Sequence, residues 1–450
     1  MTKDMTEGSP MKLILGFSVP LLFGYLFQQL YNLVDTMIVG QFLGVDALAA
    51  VGATGSINFL IIGFCNGVCS GFALPVAHRF GAKDYKALRK LYANSIWLSV
   101  IFAVVMTALT VIFCRPILTL MRTPANIFEY SYQYILIIFI GIPATYLFNL
   151  TSGMIRALGN SRAPLIILVI SSFLNVILDL VFILNFNMGV AGAAAATVLS
   201  QVVSGIICVI YICKKVEMLQ LSKDEWRMEK REMAELFNAG VPMGLQYSIT
   251  AIGSVILQSA VNTLGSDAVA SVTAASKISM FIVCPFDSMG ATMATYGGQN
   301  AGGYKLDRLH KGLGSCIILG AVYSVIGLLI IVAFGPHLLK LFVSGSETGI
   351  LADAQHFLLI NGLFYFPLAL VNIVRFMIQG MGFGFFAIIA GVLEMAARTL
   401  VGAVFVPIFG YNAACFASPL AWIFADCFLI PAYFVVWNRM KRHKEAYRQV

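Results

Sequence analysis

Charge is scarce in this chain. Only 11% of its 450 residues are Asp, Glu, Lys or Arg, against about 25% in a soluble globular domain. With 59% hydrophobic residues and a mean hydropathy of +0.87, no single water-soluble core could hide the apolar surface. A GxxxxGK[ST] phosphate loop is missing, which excludes direct use of ATP through such a loop. Cysteine is present at nine positions but forms no CxxC and no Cys/His cluster. Cys65 and Cys69 lie one helical turn apart without a His or carboxylate beside them, so they read as packing residues rather than a metal site. Histidine is rare and peripheral: His78 and His310 fall in basic loops, His337 and His356 border another loop, and His443 is in the tail. An intramembrane enzyme therefore lacks its metal cluster or Ser/His pair. The long apolar runs do not alternate with period two, which excludes a membrane β-barrel. The first twelve residues are polar with charges of both signs and lack the pattern of a cleavable signal.

What is present is a series of apolar runs of about twenty residues or more. Backbone groups in lipid must be satisfied internally, so these runs are helices. Spans are expected at about 13–40, 46–76, 91–113, 130–155, 163–185 and 189–213, then at about 236–263, 268–298, 313–334, 355–380, 384–408 and 413–437. The fold class is thus an all-α integral membrane protein of twelve transmembrane helices. Prolines punctuate the spans, and Pro143 and Pro367 occupy related positions where each removes a backbone hydrogen bond and bends its helix.

The basic residues orient the chain. Alternate connections form two sets. One set takes all but six of the 29 Lys and Arg: the N-terminal Lys3 and Lys12, the loop Arg79 to Lys90, Arg156 with Arg162, the Lys214–Arg231 stretch, the loop Lys305 to Lys311, and the tail from Arg439 to Arg448. The other set holds Arg115, Arg122 and Lys340, while Lys277, Arg375 and Arg398 sit within spans. This asymmetry places both termini in the cytoplasm. The formal charge of +8 is accounted for by those loops and calls for no nucleic acid.

The chain repeats itself at an offset of about 221 residues. Ser18-Val19-Pro20 matches Gly240-Val241-Pro242, Val45–Val51 matches Ser266–Val272, and Gly189–Ala194 matches Gly410–Cys415. Each half has an even number of spans, so the two six-helix lobes are parallel repeats. The expected domains are 1–213 for the N-terminal lobe, 214–235 for a cytoplasmic linker with a short amphipathic surface helix, and 236–450 for the C-terminal lobe.

Ionisable groups inside lipid are costly and mark function by default. Gln28, Tyr31, Asn32 and Asp35 share one face of the first span by their i, i+3, i+4, i+7 spacing. Asn175 and Asp179 share one face of the fifth, with Ser171 and Ser172 a turn earlier. Asp35, Asn175 and Asp179 are the candidate ion-coupling residues, unless each is simply hydrogen-bonded to Asn, Tyr or Ser. In the second half Glu394 and Arg398 are spaced for an intrahelical ion pair. Lys277 and Asp287, roughly 15 Å apart by helical rise, cannot pair directly. Tyr247, Thr250, Ser254 and Gln258 make a milder polar stripe on the seventh span, without a carboxylate matching Asp35. Tyr247, Gln258 and Met289 join Gln28, Tyr31 and Asn32 as candidates for lining a substrate cavity. Met280, Met293 and Met377 are alternative lining groups, or all four methionines are packing residues.

These residues together resemble the MATE (multidrug and toxic compound extrusion) family. The resemblance is carried by Val19-Pro20, by Asn32-Leu33-Val34-Asp35-Thr36 with Val39-Gly40, by the basic Gly-rich loops after spans two and eight, and by Gly298-Gln299-Asn300-Ala301-Gly302. It covers essentially the whole chain. It implies an inner-membrane exporter of amphiphilic, often cationic compounds, driven by inward proton or sodium movement and needing no further cofactor. Asp35 is similar to the family's first-helix aspartate. Asn175 and Asp179 match the Asn-x-x-x-Asp pattern of the DinF-like branch. The carboxylates that the NorM-type branch places on helices seven and ten are absent, Gln246, Thr250 and Asn372 standing in those regions. The expected partners are a small-molecule substrate and the bilayer, with the chain acting as a monomer. A flippase for a lipid-linked precursor is the alternative, marked by a cleft with clustered arginines. A channel is disfavoured because no filter-like repeat appears.

Overall fold

Residues 2–448 are described by the structure, a computed structural model, with side chains described through Arg442; His443 and the basic side chains after it lie outside that range. Among the described residues there are helices and turns but no strand. The first half comprises α1 (Pro10–Leu43), α2 (Val45–Gly81), α3 (Tyr85–Ile112), the short α4 (Cys114–Leu120), α5 (Phe128–Ile140), α6 (Ile142–Ala157), α7 (Arg162–Leu180) and α8 (Gly189–Lys215). The second comprises α9 (Lys230–Asn262), α10 (Ser266–Gly302), α11 (Leu306–Leu339), α12 (Thr348–Leu363), α13 (Tyr365–Gly380), α14 (Gly384–Leu400), α15 (Val406–Phe409) and α16 (Tyr411–Arg448). Among the described residues ten helical spans are long and apolar enough alone, and two bent pairs, each taken as one span, complete twelve: α5 with α6 at 46° and α12 with α13 at 51°. The bends fall at Pro143 and Pro367, where the missing amide donors break the helical ladder as expected.

The repeat is written into the backbone as well. Gly44 and Gly265 take positive φ (87° and 100°) in the turns before α2 and α10, and Gly189 and Gly410 do so (59° and 61°) at the starts of α8 and just ahead of α16. These are conformations a side chain resists. A π-helical turn, Val181–Asn185, follows α7, and another, Val401–Phe405, follows α14.

The chain forms two compact units whose boundaries run through helices. One consists of Met1–Asp4 with Phe23–Ser248, the other of Met5–Leu22 with Ile249–Val450. The first halves of α1 and α9 thus belong to the unit built by the opposite repeat, a division distinct from cuts at 213 and 236. Within the first unit α9 lies directly on α2. A Cβ on Gly71 would sit 2.5 Å from the Ala239 carbonyl oxygen and the Gly240 Cα, and one on Gly67 would sit 2.7 Å from the Gly244 Cα. Small residues four apart on both helices let their backbones touch, the usual way membrane helices gain packing without a hydrophobic drive. The core around this crossing holds Val68, Phe72, Leu88, Leu91 and Ile135. In the second unit Met5, Ile14 and Phe17 pack with Phe286, Tyr296 and Tyr365. The lead-in to α1 is pinned there: the Met5 N–H donates to Gln299 Oε1 at 2.8 Å and Arg308 Nη1 donates to the Gly8 carbonyl at 2.8 Å. The large apolar side chains left exposed, such as Val104, Ile112 and Leu329, suit lipid as solvent.

The linker corrects an expectation. In place of an amphipathic α-helix it holds two 3-10 turns, Glu217–Leu219 and Lys223–Trp226, the second closed by a Ser222/Glu225 capping box. Its polar groups are satisfied individually by α3, so no continuous stripe is needed. Arg89 Nε donates to Glu225 at 2.7 Å, Lys90 pairs with Glu229 at 2.7 Å, and Asn94 accepts from the Glu229 N–H at 2.9 Å. Residues from Lys230 onward extend α9 instead.

Candidate functional site

The site builds from two helices of the first unit. On α7 the spacing 171, 175, 179 turns Ser171, Asn175 and Asp179 to one buried face. Ser171 is satisfied: its hydroxyl donates to the Ser200 carbonyl of α8 at 3.1 Å. Asn175 and Asp179 are 1% and 0% exposed, and neither amide atom of Asn175 nor either carboxylate oxygen of Asp179 has a hydrogen-bond partner among the described residues. Ser172 turns back to its own helix, donating to the Leu168 carbonyl, and does not join them.

Asp35 approaches from α1. It is 8% exposed, and its Oδ1 also lacks a partner among the described residues. Asp35 and Asp179 stand within electrostatic reach of one another. As two carboxylates neither offers a donor to the other, and one proton between them supplies it. Tyr31, a turn earlier on α1, and Tyr134 on α5 stand within electrostatic reach of both aspartates. Tyr134 is a member that sequence reasoning missed: it is the last of three alternating tyrosines, Tyr130, Tyr132 and Tyr134, and only the fold brings it to the aspartates. The π-helical turn at Val181 begins two residues after Asp179, a distortion frequent at functional sites. The site therefore offers carboxylate and amide oxygens, with phenols at its edge. It has the donors for a proton or a hard monovalent cation and no nucleophile paired with a base. No group of three His, Cys, Asp or Glu suited to a metal occurs among the described residues.

The other candidates scatter. Gln28 and Asn32 are exposed, and Tyr31 is half-buried beside Asp35, so the shared face of α1 divides between Asp35 and open surface. Tyr247 is half-buried in the first unit. Gln258 is exposed and donates to Asn262 on its own helix at 2.9 Å. Met289 belongs to the packed core of the second unit, as do Met293 and Met377, whereas Met280 is exposed. Lys277 and Asp287 are both exposed. The predicted Glu394–Arg398 pair forms, at 3.4 Å, and gains a partner the spacing did not show: Arg375 of α13 donates to the other Glu394 oxygen.

The profile of the MatE family matches residues 20–181 and 242–407, one segment in each half. The chain belongs to the MatE family. Its members are transporters, and this chain is accordingly a multi-pass membrane transporter and not an enzyme. It is 29% identical over 355 residues to the "Probable multidrug resistance protein YoeA" of Bacillus subtilis, covering 77% of each chain. It is 22% identical over 408 residues to the multidrug export protein MepA of Staphylococcus aureus, covering 89% of each. In fold it is similar to an outward-facing multidrug resistance MATE family transporter of the MOP superfamily, with a TM-score of 0.90 at 23% identity, over 98% of this chain and 100% of the other. A MATE crystallised with MaL6 superposes as well, with a TM-score of 0.89 at 24% identity over 99% and 100%. The MatE match in both halves accords with the repeat seen in the sequence.

Proposed function

We propose that this MatE transporter is a secondary active exporter, an antiporter that expels amphiphilic, cationic organic compounds while a proton or sodium ion moves inward. The carrying observation is the buried trio Asp35, Asn175 and Asp179: five polar atoms inside the first unit without a hydrogen-bond partner among the described residues. Such groups in a membrane interior are retained when an ion visits them. A proton fits directly, because two facing carboxylates need the donor that it brings. Protonation discharges the pair and changes how α1 and α7 pack; release on the inner side resets it. The energy is that of the transmembrane gradient.

Gln28, Tyr31, Asn32 and Tyr247 of the first unit supply polar contacts to the compound, and the names of YoeA and MepA support the multidrug class. The chain works as a monomer in the inner membrane with both termini in the cytoplasm; the lopsided Lys and Arg count supports that orientation of the termini. The flippase alternative gains nothing: the guanidiniums of Arg375 and Arg398 are turned inward onto Glu394 instead of clustering on a cleft. Dye efflux from energised vesicles, with proton and sodium gradients imposed separately, tests the proposal. Efflux that follows either gradient supports antiport and names the ion, whereas flux indifferent to both marks a channel and ends it.

A further inference from the structure

The second unit holds a buried charge cluster to which the coupling reading assigns no task. Arg375 on α13, Glu394 and Arg398 on α14, and Asp426 on α16 are each 7% exposed or less. Glu394 takes a hydrogen bond from Arg375 on one oxygen and from Arg398, at 3.4 Å, on the other. Asp426 sits within electrostatic reach of Arg375, yet its Oδ1 is buried without a hydrogen-bond partner among the described residues, as is Nη1 of Arg398. The space beside Arg398 is made by Gly253 of α9: a Cβ there would come within 3.2 Å of Nη1. The cluster repeats the plan of the first unit. Glu394 and Arg398 stand i, i+4 just ahead of the π-helical turn at Val401, as Asn175 and Asp179 stand ahead of the one at Val181.

With two guanidiniums and two carboxylates the cluster is neutral on paper, but its hydrogen bonds are unevenly distributed. Glu394 takes both donors and Asp426 is left short. A carboxylate in a membrane interior must be paired or protonated. Asp426 has two ways to meet that demand: draw Arg375 away from Glu394, or take a proton. We propose that Asp426 is the acid of a second proton-binding site, in which Arg375 passes between Glu394 and Asp426 as the proton leaves and arrives. On uptake a proton from water bonds to a carboxylate oxygen of Asp426, and the Arg375 N–H groups settle on Glu394. On release the Asp426 carboxylate regains its charge and accepts from Arg375. Uptake leaves the cluster with one net positive charge.

Other titratable groups facing α16 lie toward its two ends: Asp307 and Lys311 of α11 line a pocket with Trp437, and Asp353 of α12 stands by Tyr411, whose hydroxyl donates to its carbonyl at 2.9 Å. His310 of α11 lies 3.5 Å from the Tyr433 hydroxyl, seven residues and roughly 10 Å along the helix. His356 of α12 bonds Asn412 at 2.9 Å, fourteen residues and roughly 21 Å the other way. The segment Val401–Phe409 contributes no ionisable side chain.

The test is an infrared pH titration of protonated carboxyl groups in the full-length protein in lipid, without substrate. The background is the Asp35→Asn/Asp179→Asn double variant, so that the coupling proposal for the first unit cannot supply the signal. The expected result is a titrating buried carboxyl that Asp426→Asn abolishes and that Asp426→Glu keeps. Glu394→Gln, which leaves Arg375 to Asp426 alone, should lower the protonated signal at a fixed pH. A signal that survives Asp426→Asn, or one unmoved by Glu394→Gln, overturns the proposal. If Asp426→Asn does not fold, Glu394→Gln decides it alone: a signal that it leaves unmoved rejects Asp426 as the acid. Gradient-driven export that survives in the double variant, with this titration intact, would count against the first-unit mechanism only.

Discussion

Adding one carbon at Gly71 should loosen the α2–α9 crossing. The new Cβ would meet the Ala239 carbonyl oxygen and the Gly240 Cα at 2.5 Å. Carbon contacts are at their best near 3.5–4.0 Å, so the helices must part by about 1 Å. The obstructing atoms are backbone, which cannot rotate aside as the end of a side chain can. Overpacking of this kind costs about 1–3 kcal/mol. The same helix carries its own control. Gly52 has nothing within 4 Å of its would-be Cβ, and replacing an unencumbered helical glycine with alanine gains about 0.5–1 kcal/mol. Thermal denaturation of the purified protein in detergent should therefore place Gly71→Ala below the wild type and Gly52→Ala at or above it. If the two variants melt together, the close approach of the two backbones does not exist in the protein and the packing argument fails.

Glu394→Ala strands two buried guanidiniums and should destabilise by about 3–5 kcal/mol, read as a lower melting temperature or loss of folded yield; Glu394→Gln, which keeps an acceptor, should cost less. Gly159 has φ +79°, and a Cβ there would strike the Lys3 carbonyl oxygen. Gly159→Ala should cost about 1–2 kcal/mol from the backbone conformation alone, and removing residues 2–4 should recover only the steric part, by the same melting assay. Glu225 is outside the spans. Burial works against its charge, but the Ser222 N–H and hydroxyl and the Arg89 guanidinium outweigh that and hold the carboxyl below its ordinary range. Its folded value is lowered, so its contribution is complete above the ordinary carboxyl range and lost as pH falls through the lowered value. Hydrogen exchange across residues 217–229 should accelerate only under such acid conditions in the wild type, and at neutral pH already in Glu225→Gln; equal protection in both contradicts the assignment.

What could be read beforehand was whatever a run of neighbouring residues decides. Span positions follow from apolar length, and the bends at Pro143 and Pro367 follow from missing amide donors. The facing of Asn175 with Asp179 follows from helical spacing, as does the Glu394–Arg398 pair. What escaped depends on partners distant in the chain. Tyr134 carries no local mark, and Arg375 is marked only as a charge within a span; each acquires its neighbours only through packing. The linker reads as amphipathic, yet its charges are taken up one by one by Arg89, Lys90 and Asn94, so it needs no helix of its own. The seating of the first half of α9 on α2 depends on glycines of two helices meeting, and a glycine in one helix does not announce the glycine opposite. Met289 shows the converse: its composition suits a cavity wall, and the fold places it in a core.

The central claim is that Asp35 and Asp179 hold the ion whose descent drives export. Its most direct test records proton movement and substrate movement together in proteoliposomes under an imposed pH gradient, for the wild type and for Asp179→Asn. The account predicts linked fluxes in the wild type and neither, beyond passive leak, in the variant. Export by Asp179→Asn at the wild-type rate, with protons still moving, would contradict it.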